Sequence, residues 1–337
     1  MIRLQSRVLR SILRQNGQKR TAVTVISTTI ATATNSVSND CNEALVEQLL
    51  AYTRQLMQGY SHHVVAFSGG VDSSLVLKLL LQAASPTDQV QAILGLSNAV
   101  SNEQLDQAKL ISKHIGAPLV IVHTQEGSDD TYLANAGQAC LACKTHLYSS
   151  LQAVLDHVDP ATTRLYNGTN ANDTQDPTRL GLLAARNFDV QSPLEFTTKE
   201  QVRRAAQQLN LPNHHTAASP CLRSRLALGV HATSKHLTMI QHAESRVRQD
   251  LTLPETVNMR VRLLTNARAR VEVDANYITQ AEKFLDTWNL YFYELGFISV
   301  SIKLFQSGSV ATLQGTNSSS ADDKMRIVQY HLKAHGI

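Results

Sequence analysis

The sequence has few cysteines and no long apolar run, and each of these shortages excludes a class of protein. Four cysteines in 337 residues are too few for a disulfide scaffold. The longest apolar runs, such as residues 64–67, are far shorter than the ~20 residues that a membrane helix needs. With 43% hydrophobic and 17% charged residues, the chain is typical of a globular protein, and its length predicts about two domains.

Acidic residues are absent from the first 39 positions, although that segment holds six basic residues. These are Arg3, Arg7, Arg10, Arg14, Lys19 and Arg20. Removing these six from the 31 basic residues of the chain leaves 25 against 27 acidic residues, so residues 40–337 carry −2 although the whole chain carries +4. A nucleic-acid-binding protein is expected to carry a basic footprint, so the near-neutral remainder argues against nucleic acid as a partner.

The N-terminal segment has the composition of an organelle transit peptide. Four of its arginines recur at i, i+4, i+7 and i+11, which places them on one stripe of a helix opposite apolar side chains. Residues 21–39 are rich in Ser, Thr and Ala, and the apolar core of a secretory signal is missing. We therefore predict that residues 1–39 direct the chain to the mitochondrial matrix; a disordered basic tail is the alternative.

Short apolar strands alternate with amphipathic helices from residue 42 onward. The strands that periodicity predicts lie at 63–67, 90–96, 119–123 and 164–167. Strands that alternate with helices in this way form a parallel sheet with helices on both faces. The sequence therefore predicts an α/β fold, a doubly wound parallel sheet, for a domain over residues 42–212.

The pattern changes after a polar stretch at 212–220, which we interpret as a linker. Paired strands at 258–264 and 269–274, framed by helices, predict a smaller α+β domain within residues 213–315. Residues 316–337 are predicted to form a tail.

The strongest local signal is the loop Phe67-Ser-Gly-Gly-Val-Asp-Ser-Ser74, which follows the first predicted strand and opens a helix. Its glycines let consecutive N–H groups turn inward, and the helix start adds partial positive charge. Serine hydroxyls can donate to phosphate oxygens, and the aspartate can hold Mg²⁺. The loop is neither a Walker A loop nor a Rossmann fingerprint. The candidate phosphate-binding residues are Ser68, Gly69, Gly70, Asp72 and Ser73.

A second polar segment follows the fourth predicted strand, at the edge where an open α/β sheet places its ligand. Its candidate nucleotide-binding residues are Gly168, Thr169, Asn170 and Asp173. Together the two segments resemble the signature of the PP-loop ATP pyrophosphatases, which share an adenine nucleotide alpha hydrolase-like fold. The resemblance implies that ATP and Mg²⁺ are cofactors, and that a carbonyl or carboxylate oxygen is adenylated with release of pyrophosphate.

Three of the four cysteines lie in two short motifs, Cys140-x-x-Cys143 and Cys221-Leu-Arg-Ser-Arg225. Three thiols can ligate three irons of a four-iron–four-sulfur cluster and leave the fourth iron open. A structural zinc with a histidine as fourth ligand, or a thioredoxin-like redox pair, explains the spacing equally well, so the residues alone do not choose among these. Neighbouring basic residues are expected to favour thiolates at all three positions.

The order of these segments is similar to that of the ATP-dependent sacrificial sulfur transferases of the LarE type, over residues 42–310. That resemblance implies adenylation of a carboxylate on a pyridinium dicarboxylate mononucleotide. Cys221 would then attack as the catalytic residue and give up its sulfur. Members with three cysteines resemble the variant that delivers sulfide from a cluster. We favour this variant because Cys140, Cys143 and Cys221, its three implied iron–sulfur ligands, are all present.

Such a substrate is a small anionic nucleotide, which needs positive charge beside Cys221. Guanidinium groups bind phosphate bidentately, so the candidate phosphate-binding residues are Ser224, Arg225, Arg262 and Arg270. Glu272 is either a metal ligand or a surface carboxylate. A homo-oligomer is compatible with the sequence.

Two other kinds of function stay open. Another PP-loop enzyme, such as an amide-forming synthetase or a tRNA thiolation enzyme, would share the phosphate loop. A non-catalytic nucleotide- or metal-binding module would bind ATP without releasing pyrophosphate. Arg223, which stands where the family has a small residue, is a departure that concerns the substrate more than the use of ATP.

Overall fold

The computed structural model describes residues 43–155, 158–176 and 179–306. The predicted transit peptide at 1–39 and the predicted tail at 316–337 lie outside these residues, and both stay predictions. Backbone contacts separate residues 1–48 from residues 49–337, and every contact given below lies within the second unit. None of the described helices combines the length and apolar character that crossing a membrane requires.

A four-stranded parallel sheet confirms the predicted α/β fold. Its strands are β1 (His62–Ala66), β2 (Gln89–Leu96), β3 (Leu119–His123) and β4 (Thr163–Tyr166). They lie in the order β3-β2-β1-β4, and every neighbouring pair is parallel. The chain moves outward from β1 to β3 and then returns to the far side of β1. The order therefore reverses between β1 and β4, and doubly wound sheets bind ligands at the carboxyl ends beside such a switch point.

Helices follow or precede each strand of this sheet. They are α1 (described over 43–57), α2 (Val71–Ala83), α3 (Asn102–Ile115), α4 (Asp130–Ala134), α5 (Ala139–Val154), α6 (Ala171–Thr174), α7 (Gly181–Asn187) and α8 (Lys199–Gln208). Helix α3 begins with a capping box between Ser101 and Gln104. Helix α5 packs directly on β2, because a Cβ on Gly95 would lie 2.4 Å from the Leu147 side chain.

A smaller mixed sheet forms with the later helices, as the α+β prediction requires. Its elements are α9 (Ser234–Leu251), β5 (Met259–Leu264), β6 (Arg268–Val273), α10 (Ile278–Glu282), α11 (Leu285–Leu295) and β7 (Ser299–Leu304). Strand β6 is antiparallel to β5 and parallel to β7. Val261 and Val271 face a core with Trp288 and Phe292. The predicted domain boundaries stay predictions.

Candidate functional site

The loop between β1 and α2 folds back on itself through its serines. The Oγ atoms of Ser68 and Ser73 are 3.1 Å apart, and the Ser68 N–H donates to Ser73 Oγ at 3.2 Å. Ser73 Oγ in turn donates to the Gly70 carbonyl at 3.1 Å. Gly70 is the N-cap residue of α2, and it provides no side-chain hydrogen bond to the first N–H groups of the helix. This is the arrangement that binds an anion at a helix N-terminus.

Gly69 is required by its conformation and by its neighbour. Its φ is +73°, a region that favours glycine, and an added Cβ would lie 2.7 Å from the Cα of Ala108 in α3. The phosphate loop therefore rests directly on the backbone of the neighbouring helix.

Asn213 holds the phosphate loop, although the sequence did not single it out. It is 2% exposed, and its Nδ2 donates to the Gly69 carbonyl at 2.9 Å and to Ser74 Oγ at 3.0 Å. Arg203 of α8 also donates to two backbone carbonyls of the surrounding stretch, at 2.7 and 3.0 Å. The interpretation of residues 212–220 as a linker is therefore wrong, because this stretch is part of the site.

The second predicted segment touches the first. A Cβ on Gly168 would lie 2.7 Å from the backbone N of Ser73, and Asn170 Nδ2 donates to Asp72 Oδ1 at 2.8 Å. Burial raises the pKa of Asp72, and the hydrogen bond from Asn170 partly offsets that rise. The Thr169 carbonyl accepts from Ser192 Oγ at 2.6 Å, which fixes this loop from its other side.

Asp173 brings two further cations to this edge. It is 7% exposed, and its Oδ1 lies 3.1 Å from Arg179 Nη2 and 3.2 Å from Lys199 Nζ. Lys199 also acts electrostatically on the neighbouring Asp72. Their closeness to the phosphate loop was missed because these partners lie 6 and 26 residues from Asp173, with no local spacing that links them.

The three predicted thiols lie near one another, since both Cys140 and Cys221 act electrostatically on Cys143. Cys140 and Cys143 stand in the first turns of α5, and Cys221 precedes a short 3₁₀ helix, Leu222–Arg225. All three are free. Burial, and then the nearby Cys221, raises the pKa of Cys143 to about 12. The expectation of a thiolate at Cys143 is therefore wrong, since a group with this pKa stays protonated at neutral pH.

Two other side chains contact these thiols. Cys143 Sγ donates to Glu126 Oε1 at 3.9 Å, and Glu126 Oε2 has no hydrogen-bond partner among the described residues. The Arg223 guanidinium donates to Cys140 Sγ at 2.7 Å and to Asn135 Oδ1 at 2.8 Å. Arg223, which departs from the family pattern, therefore contacts one of the three cysteine sulfurs.

These side chains, as arranged, do not fit an iron–sulfur cluster or a zinc ion. Within the described ranges, no group of three His, Cys, Asp or Glu side chains could hold a metal ion. The Arg223 guanidinium contacts the Cys140 sulfur, and the Cys143 thiol lies beside the buried carboxylate of Glu126. The predicted cluster is not confirmed, and we assign no reaction step to it.

Three of the four predicted phosphate-binding residues lie near Cys221. Their side chains already donate hydrogen bonds to other groups of the protein. Ser224 Oγ donates to the Cys221 carbonyl at 2.7 Å, and Arg225 pairs with Glu244 at 3.0 Å. Arg262 Nε lies 2.8 Å from Glu272 Oε1, and its Nη1 donates to the Ser224 carbonyl at 3.1 Å.

The strand register places the fourth predicted residue, Arg270, directly opposite Arg262. Glu272, which is 3% exposed, is not a surface carboxylate. Phosphate binding by these residues stays a prediction.

The phosphate loop and the Cys221 segment lie at the same edge of the first sheet. The Leu222 N–H donates to the carbonyl of Ala99, just beyond the carboxyl end of β2, at 2.8 Å. Gln104 of α3 donates to the Ser219 carbonyl at 2.5 Å. A pocket of about 220 Å³ at this edge includes Glu126, whereas a cavity of about 330 Å³ lies at the opposite edge, around His63.

Comparison with known proteins identifies the family. No family model matches the chain. It is 30% identical over 272 residues to the uncharacterized protein slr1717 of Synechocystis, which covers 79% of this chain and 98% of that protein. It is 32% identical over 248 residues to the pyridinium-3,5-bisthiocarboxylic acid mononucleotide synthase of Lactiplantibacillus plantarum, which covers 72% of this chain and 87% of that enzyme.

A more distant relative matches the chain over a shorter stretch. The chain is 27% identical over 235 residues to the glutamine-hydrolysing GMP synthase of Mycobacterium tuberculosis, which covers 62% of this chain and 42% of that enzyme. The fold, the phosphate loop at the switch point and these similarities agree. The chain belongs to the LarE-type pyridinium-3,5-bisthiocarboxylic acid mononucleotide synthase family, within the PP-loop ATP pyrophosphatase superfamily.

Proposed function

We propose that this chain is an ATP-dependent sulfur transferase that adenylates a carboxylate of a small anionic nucleotide and delivers sulfur through Cys221. The observation that carries the proposal is the shared edge: the Cys221 segment bonds to Ala99 beyond β2, beside the phosphate loop that follows β1. A nucleophile placed at that edge can reach an acyl-adenylate formed on the loop. The name of the Lactiplantibacillus relative supports a pyridinium mononucleotide as the substrate class.

The activation half of the reaction uses the phosphate loop. The hydroxyls of Ser68 and Ser73 and the N-terminus of α2 bind the phosphates of ATP. Mg²⁺ takes one or two carboxylates together with substrate phosphates, so Asp72, oriented by Asn170, would hold the ion, and the ion would neutralise charge on the phosphates. The substrate carboxylate oxygen attacks the α-phosphorus, and the bond to the β-phosphate oxygen breaks. The products are an acyl-adenylate and pyrophosphate.

The transfer half uses Cys221. Its thiolate attacks the acyl carbon and displaces AMP, which gives a thioester to the protein. Loss of the Cys221 α-proton and cleavage of its Cβ–S bond then leave dehydroalanine and release a thiocarboxylate. The chain loses the elements of H₂S, so this route consumes the enzyme.

Delivery from a cluster held by the three cysteines is the competing route. It requires the Arg223 guanidinium to leave Cys140 and the proton to leave Cys143.

The test is to incubate the purified chain with ATP, Mg²⁺ and pyridinium-3,5-dicarboxylic acid mononucleotide, and to follow pyrophosphate and thiocarboxylate. Wild type is expected to form both, and Cys221→Ala is expected to release pyrophosphate without forming thiocarboxylate. Full sulfur transfer by Cys221→Ala would refute the proposal. Mass spectrometry after turnover distinguishes the routes: loss of H₂S at Cys221 indicates sacrifice, whereas an unchanged mass with iron and sulfide bound indicates a cluster.

The other candidate functions predict different products in the same assay. An amide-forming synthetase would consume ammonia and would not need Cys221. A non-catalytic module would bind ATP and release no pyrophosphate with any carboxylate.

A further inference from the structure

Arg225 is a buried cation four residues from the proposed nucleophile. It is 2% exposed, and the donors of its guanidinium bond to protein groups on two sides. Phosphate binding does not explain this arrangement, because a guanidinium that binds a substrate phosphate needs donors aimed at the ligand.

One side of the guanidinium holds the backbone of Cys221. Arg225 Nη1 donates to the carbonyls of Pro220 and Cys221, the latter at 3.3 Å, and to Ser224 Oγ at 3.0 Å. The Cys221 carbonyl also accepts from the Ser224 N–H at 2.9 Å and from Ser224 Oγ at 2.7 Å. The bond from the Leu222 N–H to Ala99 fixes the same peptide group from its other side. The backbone at Cys221 is therefore held from both sides, while its side chain stays only partly buried.

The other side of the guanidinium is fixed by Glu244 of α9. Glu244 Oε1 accepts from Arg225 Nε at 3.0 Å and from the Val261 N–H of β5 at 2.9 Å, and Oε2 accepts from Arg225 Nη2 at 3.3 Å. The carboxylate thereby ties the Cys221 segment to a helix and a strand of the second sheet. A buried ion pair contributes little net stability because desolvation offsets its attraction, so a role in holding geometry explains the pair better than a role in stability.

We propose that Arg225 and Glu244 are positioning residues that hold Cys221 for its attack on the acyl-adenylate. The inference rests on the proposed function. A misplacement of about 1 Å at a reacting atom costs about 10²-fold in rate. Lysine keeps the charge of Arg225 but lacks the planar fork that spans a carboxylate and three acceptors at once. Arg225→Lys is therefore expected to lower sulfur transfer about 100-fold and to leave substrate-dependent pyrophosphate release within about threefold of wild type.

The experiment compares Arg225→Lys and Glu244→Gln with Arg246→Lys. Arg246 is the matched control because it lies on the same helix as Glu244 and pairs with Asp250 at 2.8 Å, without contact to the Cys221 segment. The readouts are pyrophosphate release, thiocarboxylate formation and the rate at which iodoacetamide alkylates Cys221 in the free protein, with urea unfolding to verify the fold. The first two variants are expected to separate the two half-reactions and to change the alkylation rate of Cys221, and the control is expected to do neither.

Wild-type sulfur transfer by Arg225→Lys, or an equal loss of pyrophosphate release and transfer, would overturn the positioning role. Glu244→Gln decides the question where Arg225→Lys does not fold. The alkylation readout separates this inference from the proposed function, since it needs no substrate. If wild type releases pyrophosphate but transfers no sulfur, the proposed function fails, while an unchanged Cys221 alkylation rate in both variants rejects the positioning role itself.

Discussion

Replacing Gly168 by alanine is expected to weaken ATP binding about 5- to 150-fold. The added Cβ would lie 2.7 Å from the backbone N of Ser73 and 2.8 Å from both the carbonyl carbon and the Cβ of Asp72, so the phosphate loop itself must shift. Overpacking of this kind costs about 1–3 kcal/mol, and each 1.4 kcal/mol is a tenfold change in affinity. Because the displaced atoms belong to the phosphate cradle, this cost falls on the arrangement that binds ATP. Calorimetric titration with a non-hydrolysable ATP analogue measures it.

The control for this prediction is Gly59→Ala. Gly59 has a φ of +84° with no atom within 4 Å of an added Cβ, so alanine there strains the backbone away from the phosphate loop. The control is expected to lose about 1–2 kcal/mol of stability in urea and to keep the wild-type Kd for ATP. A wild-type Kd in Gly168→Ala would refute the role assigned to the close approach, and an equal affinity loss in both variants would attribute the effect to instability.

Three further changes test other parts of the structure. Asn213→Ala removes both donors to the phosphate loop and is expected to raise the Kd for ATP about tenfold in the same titration; an unchanged Kd would show that the loop holds its shape alone. Folding raises the pKa of Cys143 from 9.0 to about 12, so between pH 9 and pH 12 only the unfolded thiol ionises. The free energy of unfolding is therefore expected to fall as pH rises through this range. Urea unfolding at pH 8 and pH 10.5 is expected to show a smaller loss in Cys143→Ser than in wild type, and equal losses would contradict this pKa. A fluorescent protein fused behind residues 1–45 is expected to accumulate in mitochondria, and a diffuse cytosolic signal would reject the transit peptide.

The phosphate loop could be predicted from the sequence because its requirements are local. Two glycines between an apolar strand and a helix are visible within eight residues, and the structure shows why Gly69 is needed. The closeness of Gly168 to this loop depends instead on β4 pairing with β1, which the periodicity of the strands does not specify. The sequence predicted that both segments lie at the ligand-binding edge of the sheet. The direct contact of Gly168 with the phosphate loop depends on the strand order.

One error of the sequence analysis has an identifiable physical cause. Asn213 was assigned to a linker because it lies in a polar, proline-containing stretch, yet its bond to Gly69 spans 144 positions. Contacts between residues so far apart in the chain cannot be predicted from the local spacing of residue types.

Positive charge remains near Cys221 after the ion pairs of Arg225 and Arg262 are counted. Among the described residues, Arg225 and Arg262 pair with Glu244 and Glu272, whereas Arg260 donates to the carbonyls of Met259 and Ala218. Burial, and then Arg225, lower the pKa of Arg260 to about 10, so this buried cation lies within electrostatic range of a second one. An anionic group of the substrate would relieve this imbalance.

Arg260→Gln is therefore expected to raise the KM for the mononucleotide about tenfold while the KM for ATP stays at the wild-type value. Glutamine keeps a donor for the Ala218 carbonyl but removes the buried charge, so the loss reports on attraction to an anion rather than on the backbone contact. Arg246→Lys serves as the control, since that cation is already balanced by Asp250. An unchanged KM for the mononucleotide, or an equal rise for both substrates, would show that the excess charge near Cys221 serves something other than substrate binding.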